Sequence, residues 1–192
     1  MLTLFYSPHM TSVDNEAGRA SGHADVPLSP PGRQRARELG QQYATQSLDA
    51  VFCSDLQRAS ATARIAFAGR ALPIAPDARL RECDYGDLTR YPVAQVDEEF
   101  ARRITEPFPH GESLLMVAQR MGAFLHDILR AYAGKAVVVI GHRATRYALE
   151  YWCGDASLGD IVRTSWEWRE VPIWRYELRA QHLGRPLVAG DG

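Results

Sequence analysis

The chain has 192 residues, of which 46% are hydrophobic and 23% charged, and its net charge at pH 7 is -1. A single core serves chains of up to roughly 250 residues, so this length predicts one globular domain. The balanced charge and the lack of any apolar run near ~20 residues argue against nucleic-acid and membrane partners. Three cysteines without paired spacing predict neither a disulfide framework nor a zinc site. With no signal-like N-terminus, the sequence favours a cytoplasmic protein.

The first third of the chain alternates strand and helix signals. Residues 2–7 form an apolar run that predicts a buried strand, which should end at Pro8 because proline lacks a ladder donor. Residues 11–29 are rich in Gly, Ser and Asp and predict a long loop of the kind that often carries function. Ser29 followed by prolines is typical of a helix start, so a helix is expected from Gly32 to about Gln46.

The middle of the chain continues this alternation with weaker signals. Val51–Cys53 predicts a second strand, and Ser54 or Asp55 is expected to cap a helix that runs to about Ala68 with Arg58 in its first turn. Residues 72–95 carry turn residues and predict a loop with a short strand near Ile74. A helix is expected from Val96 to Ile104, before a Pro- and Gly-rich break.

The last third holds the clearest strand. Glu112 and Ser113 are expected to open a long helix to about Tyr132. Residues 136–140 are short, β-branched and non-alternating, as in a strand that is buried on both faces. A helix should follow over 144–153, and the alternating run 171–178 predicts an edge strand.

Strands that alternate with helices predict an α/β fold, a three-layer αβα domain with a mostly parallel central sheet. We expect this domain to span residues 1–182, with a loose C-terminal tail at 183–192. Three tryptophans near the C-terminus are expected either in the hydrophobic core or on a dimer surface: Trp166, Trp168 and Trp174. A homodimer is therefore a possible assembly.

Two histidines follow apolar strands far apart in the sequence. His9 follows the first strand and His142 follows residues 136–141, and ligands of open parallel sheets bind beyond the carboxyl ends of strands. Either imidazole could attack phosphorus if cations neutralise the oxygens and an acid protonates the leaving group. Arg58 is a candidate clamp, and Glu82 or Asp84 a candidate acid. A helix that starts after His142 would aim N–H groups at an anion.

Five ordered motifs strengthen this hypothesis. They occur in the segments 8–19, 27–32, 54–63, 80–86 together with 111–113, and 138–142. In this order the motifs resemble the histidine phosphatase superfamily, which includes the cofactor-dependent phosphoglycerate mutases. The resemblance covers residues 2 to about 150 and implies a phosphoglycerate mutase-like fold.

The resemblance implies a role for each matching position. His9 would be the nucleophile, Glu82 the general acid and base, and His142 the stabiliser of the transferring phosphoryl group. Arg58 would bind phosphate and Asn15 would be a polar pocket residue. Each of these side chains could instead have a purely structural role. Arg58 and Glu82 could each form an ion pair with a nearby charged residue, and Asn15 could simply form a turn. Candidate residues of a substrate loop are Ser12, Arg19, Ser21 and Gly22, although Arg19 could equally be solvated.

The first motif departs from the family pattern. Pro8 stands where the family has arginine, Met10 where it has glycine, and Thr11 where it usually has glutamate. Loss of a preorganised charged donor commonly costs about 10²–10³ in rate. Arg143, directly after His142, could return the lost charge to the phosphate, or it could face solvent or pair with Glu150. In the first case, replacing Arg143 by alanine should abolish phosphate or vanadate binding.

The sequence therefore predicts a phosphohydrolase, a phosphomonoesterase acting on a small phosphorylated metabolite through a phosphohistidine, without cofactor or metal. An alternative is a weak or inactive relative that binds an anionic or phosphorylated ligand. Phosphoglycerate mutase activity is less favoured because the chain is short of the extra segments that those family members carry. A nucleotide-binding domain is disfavoured because no Gly-rich loop follows the first strand.

Overall fold

The computed structural model describes residues 1–164, 172–184 and 186–187. Its sheet has five strands in the order β3-β2-β4-β1-β5. The first four are parallel and β5 runs antiparallel along the β1 edge. This confirms the predicted α/β fold with a mostly parallel sheet. The strands are β1 (Leu2–Pro8), β2 (Ala50–Cys53), β3 (Ile74–Pro76), β4 (Ala136–Gly141) and β5 (Trp174–Leu178).

Helices cover both faces of this sheet. The α-helices are α1 (Val13–Glu16), α2 (Pro30–Gln42), α3 (Gln57–Ala66), α4 (Val93–Glu99), α5 (Leu114–Ala131), α6 (Arg143–Cys153), α7 (Leu158–Arg163) and α8 (Ala180–Leu183). Val138 and Ile140 pack with α2 and α3 on one face, whereas Val137 and Val139 pack with α5 and α6 on the other. Burial on both faces explains why β4 is apolar at every position rather than alternating.

Two serine caps lie where the sequence predicts helix starts. The Ser29 hydroxyl accepts a hydrogen bond from the Gly32 N–H, with Pro30 in the first helical position, where no N–H is needed. The Ser113 hydroxyl accepts from the Met116 N–H at the start of α5. Both helices therefore begin as local capping chemistry dictates.

Several predicted elements differ from the structure, and α2 ends at Gln42 rather than at Gln46. The loop predicted over 11–29 contains α1, and the helix predicted over 96–104 instead begins at Val93 and ends at Glu99, before a 3₁₀ turn at Arg102–Ile104. Helix α3 begins after Leu56 without a side-chain cap. Ser54 does not cap it, because its hydroxyl accepts from the Leu56 N–H before the helix starts, and Asp55 binds Arg81 instead.

The C-terminal region is described in part. Trp174 is buried and its ring lies 5.7 Å from that of Tyr6, while Trp166 and Trp168 lie outside the described residues. Of the predicted tail, Leu183 ends α8 and Leu187 packs against the core. In the described ranges, none of the helices is both long and apolar enough to cross a bilayer.

The carboxyl ends of β1 and β4 lie side by side. Pro8 is the register partner of Gly141, and the His9 N–H donates to the Gly141 carbonyl over 2.8 Å. The two histidines that follow these strands therefore leave the sheet at one edge. This edge is where ligands of open α/β sheets bind.

Candidate active site

His9 and His142 meet at this edge, with ring centroids 5.0 Å apart. A cavity of about 620 Å³ opens in front of them. Every residue that the sequence singles out for the site lines this cavity except Ser12 and Asp84, the alternative acid. The sequence prediction that two distant histidines converge on one pocket therefore matches the geometry.

His9 presents one unprotonated nitrogen to the cavity. Its Nδ1 lies 2.7 Å from the Met10 carbonyl oxygen, which can only accept, so Nδ1 carries the proton. Its Nε2 accepts from the Arg58 Nε–H over 3.3 Å. Burial, and then the Arg58 charge, lower the pKa of His9 to about 3. At neutral pH the ring is thus a neutral imidazole whose unprotonated Nε2 carries a lone pair and accepts from Arg58.

Arg58 is a buried cation, only 1% exposed, in the first turn of α3. Its two terminal nitrogens donate to the carbonyls of Gly22 and Ala24 over 2.7 and 2.9 Å. Among the residues that the structure describes, no carboxylate forms an ion pair with it. A guanidinium held by carbonyls keeps its full charge, so it is suited to bind an anion in the cavity.

The loop carbonyl that holds Arg58 depends on a glycine. Gly22 has a φ of 50°, and a Cβ there would lie 3.0 Å from the Tyr85 ring. A side chain at this position would be strained and would press on Tyr85. Gly22 therefore contributes backbone geometry to the site rather than a side chain.

His142 is the N-cap residue of α6 and is fully buried from solvent. Its carbonyl accepts from the Tyr6 hydroxyl over 2.6 Å, which fixes the backbone. Its two ring nitrogens make no hydrogen bond within the described residues. Burial, and then the charge of Arg58, lower its pKa well below the usual value. A buried imidazole without partners is costly, and an anionic ligand between the two rings would satisfy it.

Glu82 reaches the cavity from the loop after β3. Its Oε1 accepts from the backbone N–H groups of Cys83 at 2.8 Å and Ala144 at 3.1 Å. Ala144 lies in the first turn of α6, so the carboxyl group is anchored at a helix N-terminus. Within the described residues Oε2 accepts no hydrogen bond. The structure thus places Glu82, rather than Asp84, beside the histidines, because Asp84 does not line the cavity.

Asn15 and Ser12 form the capping box of α1. The Ser12 N–H and hydroxyl both donate to Asn15 Oδ1, and the Asn15 N–H donates to the Ser12 hydroxyl. Ser12 is fully buried and stands behind the cavity wall. Asn15 is exposed and lines the cavity. Of the remaining loop candidates, Arg19 is exposed at the mouth and Ser21 is buried in the wall.

Arg143 turns towards the cavity, but it already has a partner. Its Nη1 lies 2.7 Å from Asp97 Oδ1, and its guanidinium stacks on the Phe100 ring at 3.9 Å from the centroid. Arg146, not Arg143, pairs with Glu150. Of the two orientations that the sequence left open, the structure has the one towards the pocket. The positive charge there is partly neutralised by Asp97.

Comparison with known proteins identifies the family of this chain. The sequence pattern of the histidine phosphatase superfamily, branch 1, matches residues 9–182. The chain belongs to the histidine phosphatase superfamily. This confirms the family and the phosphatase class predicted from the ordered motifs.

Several relatives of this phosphatase are similar over most of its length. It is 31% identical to phosphoserine phosphatase 1 of Hydrogenobacter thermophilus over 157 residues, which are 78% of this chain and 74% of that one. It is 30% identical to a probable phosphoglycerate mutase GpmB of Yersinia enterocolitica over 150 residues, 74% and 70% of the two chains. The solved structure of Bacillus stearothermophilus YhfR aligns with a TM-score of 0.76 and 26% identity, covering 95% of this chain and 100% of that one.

Besides Ala20, which lies within the candidate substrate loop, sequence reasoning missed three cavity residues of this phosphatase: Tyr85, Val93 and Asp97. They come from the loop after Glu82 and from α4, which begins three residues before the Val96 that the sequence predicts. No local motif marks them, because they reach the site only through the packing of α4 across the cavity mouth. No group of three or more His, Cys, Asp or Glu side chains suited to a metal ion occurs in the described ranges.

Proposed function

We propose that the protein hydrolyses phosphomonoesters of small metabolites through a phosphohistidine at His9. The observation that carries this proposal is the neutral His9 imidazole, whose Nε2 faces a buried Arg58 that has no carboxylate partner in the described part of the chain. This arrangement combines a nucleophile that needs no deprotonation with a preorganised charge for the phosphoryl oxygens. Glu82 and His142 complete the site around them.

In the first step, the Nε2 lone pair of His9 attacks phosphorus and the bond from phosphorus to the leaving oxygen breaks. Glu82 gives a proton to that oxygen, and the alcohol departs. Arg58 and the ring N–H of a neutral His142 stabilise the charge on the remaining oxygens. The His9 Nδ1–H keeps its bond to the Met10 carbonyl, which stabilises the positive charge that develops on the ring.

In the second step, water attacks the phosphorus of phospho-His9. Glu82 takes a proton from this water, the bond between phosphorus and Nε2 breaks, and its electron pair returns to the ring. Orthophosphate leaves, and the enzyme recovers its starting protonation. The net reaction converts one phosphomonoester and one water into an alcohol and orthophosphate.

The other cavity residues supply binding. Asn15 and Arg143 would contact the phosphate, while Arg19, Ser21 and Gly22 belong to the loop that covers the substrate. Arg143 can serve the phosphate only in part, because Asp97 competes for it. Ser12 supports this loop from behind through the α1 cap. We place the enzyme in the cytoplasm, without cofactor, metal or nucleic-acid partner, and leave a homodimer open.

Two alternatives remain distinct in their products. A binding protein without activity would take up vanadate but release no orthophosphate. A mutase, as in the name of the Yersinia relative, would return an isomeric phosphate ester and little orthophosphate. The retained His9, Arg58, Glu82 and His142 favour chemistry over binding alone.

The proposal is tested by measuring orthophosphate release from a panel of small phosphomonoesters by the wild-type protein and by a His9→Gln variant. We expect turnover by the wild type, and a loss of at least about 10³-fold in the variant because the nucleophile is gone. His126→Gln is a matched control, since His126 is an exposed histidine on α5. Equal activity of wild type and His9→Gln would contradict the proposal.

A further inference from the structure

One arginine outside the cavity uses all of its hydrogen-bond donors on the loop that carries Glu82 and on Glu112, a carboxylate that contacts the same loop. Arg120 projects from α5, its side chain is 18% exposed, and it is not among the cavity-lining residues. A guanidinium has five N–H donors in a rigid fork. Each of the five has an acceptor here, which is an unusual degree of saturation for one side chain.

Three of these donors bind consecutive parts of one loop. Nη1 donates to the carbonyls of Arg79 at 2.7 Å and Arg81 at 2.8 Å, and Nη2 donates to the carbonyl of Glu82 itself at 2.8 Å. These carbonyls belong to a 3₁₀ turn and the irregular chain after it, which has no sheet or helix ladder to satisfy them. Arg120 therefore supplies the hydrogen bonds that a sheet or helix would otherwise give to the backbone leading to Glu82.

The other two donors hold a carboxylate that fixes the loop on its far side. Arg120 Nε and Nη2 donate to the two oxygens of Glu112 at 3.0 and 2.9 Å. Glu112 Oε2 in turn accepts from the Asp84 N–H at 3.1 Å, and the Glu112 N–H donates to the Asp84 carbonyl at 2.9 Å. Glu82 thus lies between two anchored points of the backbone. Its own carbonyl also lies 2.8 Å from His23 Nε2.

We propose that Arg120 is a positioning residue that sets the Glu82 carboxyl group against the leaving oxygen by holding the backbone of residues 79–84. The proposal rests on the role of Glu82 in the proposed function. Arg120 does not contact the substrate, so it acts only through Glu82. Lysine cannot replace it, because one ammonium has three donors at a single point and cannot span three carbonyls and a carboxylate.

If Arg120 positions Glu82, then replacing Arg120 should lower the rate of phosphoryl transfer by a factor that depends on the leaving group. Phenyl phosphate and 4-nitrophenyl phosphate have similar shapes, but phenolate is much the more basic leaving group and gains more from a proton. A displaced Glu82 should therefore slow transfer from phenyl phosphate and leave transfer from 4-nitrophenyl phosphate nearly unchanged. The ratio kcat/KM reports this step, since it includes events only up to the phosphorylation of His9.

The experiment measures kcat/KM for both esters in wild type, Arg120→Lys, Glu112→Gln, Glu82→Gln and Arg70→Lys. Arg70 is the matched control, because its guanidinium also holds two backbone carbonyls, those of Tyr43 and Gln46, away from the cavity. We expect Glu82→Gln to lose about 10²-fold on phenyl phosphate, in the range of general acid catalysis. Arg120→Lys should lose about 10-fold on phenyl phosphate and less than about 3-fold on the nitrophenyl ester.

The outcomes separate the two claims. Glu112→Gln should show the same selective loss as Arg120→Lys, although smaller, while Arg70→Lys should lower both rates equally or not at all. If Glu82→Gln is selective but Arg120→Lys and Glu112→Gln slow both esters equally, or neither, the positioning role of Arg120 is overturned. If Glu82→Gln itself is not selective, the acid role in the proposed function fails and the inference falls with it.

Discussion

The inner and outer halves of the cavity hold their arginines in opposite ways. At the inner end, Arg58 is held by two backbone carbonyls and by the neutral His9 ring. At the mouth, Arg143 is held by the Asp97 carboxylate and the Phe100 ring. Carbonyls fix a guanidinium without cancelling its charge, whereas a carboxylate cancels much of it. An arginine near a phosphatase site is therefore not by itself a phosphate ligand. Whether it can bind phosphate depends on whether its existing partners neutralise its charge.

This difference bears on the arginine that the first motif lacks. Pro8 lines the inner end of the cavity, where the family arginine would stand. Arg143 lies in the outer half, where its guanidinium forms an ion pair with Asp97. We infer that it returns only part of the missing charge, so the phosphate relies mainly on Arg58.

Among the cavity arginines, the largest effect should come from Arg58. Replacing it with lysine keeps a charge but loses the fork that binds His9 and two carbonyls together. We expect kcat/KM for 4-nitrophenyl phosphate to fall about 10²- to 10³-fold. Arg70→Lys, a carbonyl-holding arginine away from the cavity, serves as the control. A loss smaller than that caused by removing Arg143 would reverse the contrast between the two halves.

A gain of function should follow at position 8. Pro8→Arg adds a second guanidinium at the inner end, and we expect vanadate to bind about 10-fold more tightly, through charge-assisted bonds. Pro8→Ala controls for the loss of the proline ring. Unchanged vanadate affinity in Pro8→Arg would mean that the surrounding loop no longer accommodates an arginine there.

Arg143 and Asp97 should have smaller and opposite effects. Because Arg143 is paired, Arg143→Ala should weaken vanadate binding about 3- to 10-fold rather than abolish it, whereas Asp97→Asn should strengthen it by a similar factor. The double variant should resemble Arg143→Ala, since Asp97 acts through Arg143. Complete loss of binding in Arg143→Ala would show that the outer half dominates.

The smallest effect concerns pH and the half-buried His9. Its pKa is about 3 in the folded protein, and about 6.5 in an unfolded chain. As pH falls below about 6.5, the unfolded state takes up a proton that the folded state does not, so the free energy of unfolding decreases. This contribution cannot exceed about 1.4 kcal/mol per pH unit for one group.

Denaturant unfolding of the wild type and His9→Gln at a series of pH values between 6.5 and 4 measures this slope. The variant should lose less stability over that interval, because its side chain at position 9 does not titrate. The same slope in both proteins would mean that His9 titrates alike in the folded and unfolded states.

The sequence predicts a structural feature well when the residues that determine it are close together in the chain. The strand β4 and the caps at Ser29 and Ser113 follow from residues within one turn of each other, and they lie as expected. The site histidines were found because strand ends of a parallel sheet share one edge. The start of α4 was missed because its N-cap is Pro92, which offers no side-chain hydrogen bond to mark it.

The partners of the arginines were beyond sequence reasoning. Asp97 meets Arg143 only because α4 packs over the cavity mouth, and nothing in either local segment marks the pair. Arg120 binds backbone carbonyls, which every residue has, so no residue type signals its role. The pairing of charges within the site could therefore be determined only from the structure.

The central claim is that His9 becomes phosphorylated with Arg58 as its main cation. Rapid acid-free quenching of wild-type protein mixed with 4-nitrophenyl phosphate, followed by mass spectrometry of the peptide that contains His9, tests it most directly. We predict an acid-labile phosphate adduct on His9 that forms much more slowly in Arg58→Lys and at a similar rate in Arg70→Lys. Turnover without any adduct on His9, or an adduct on His142 instead, would contradict the account.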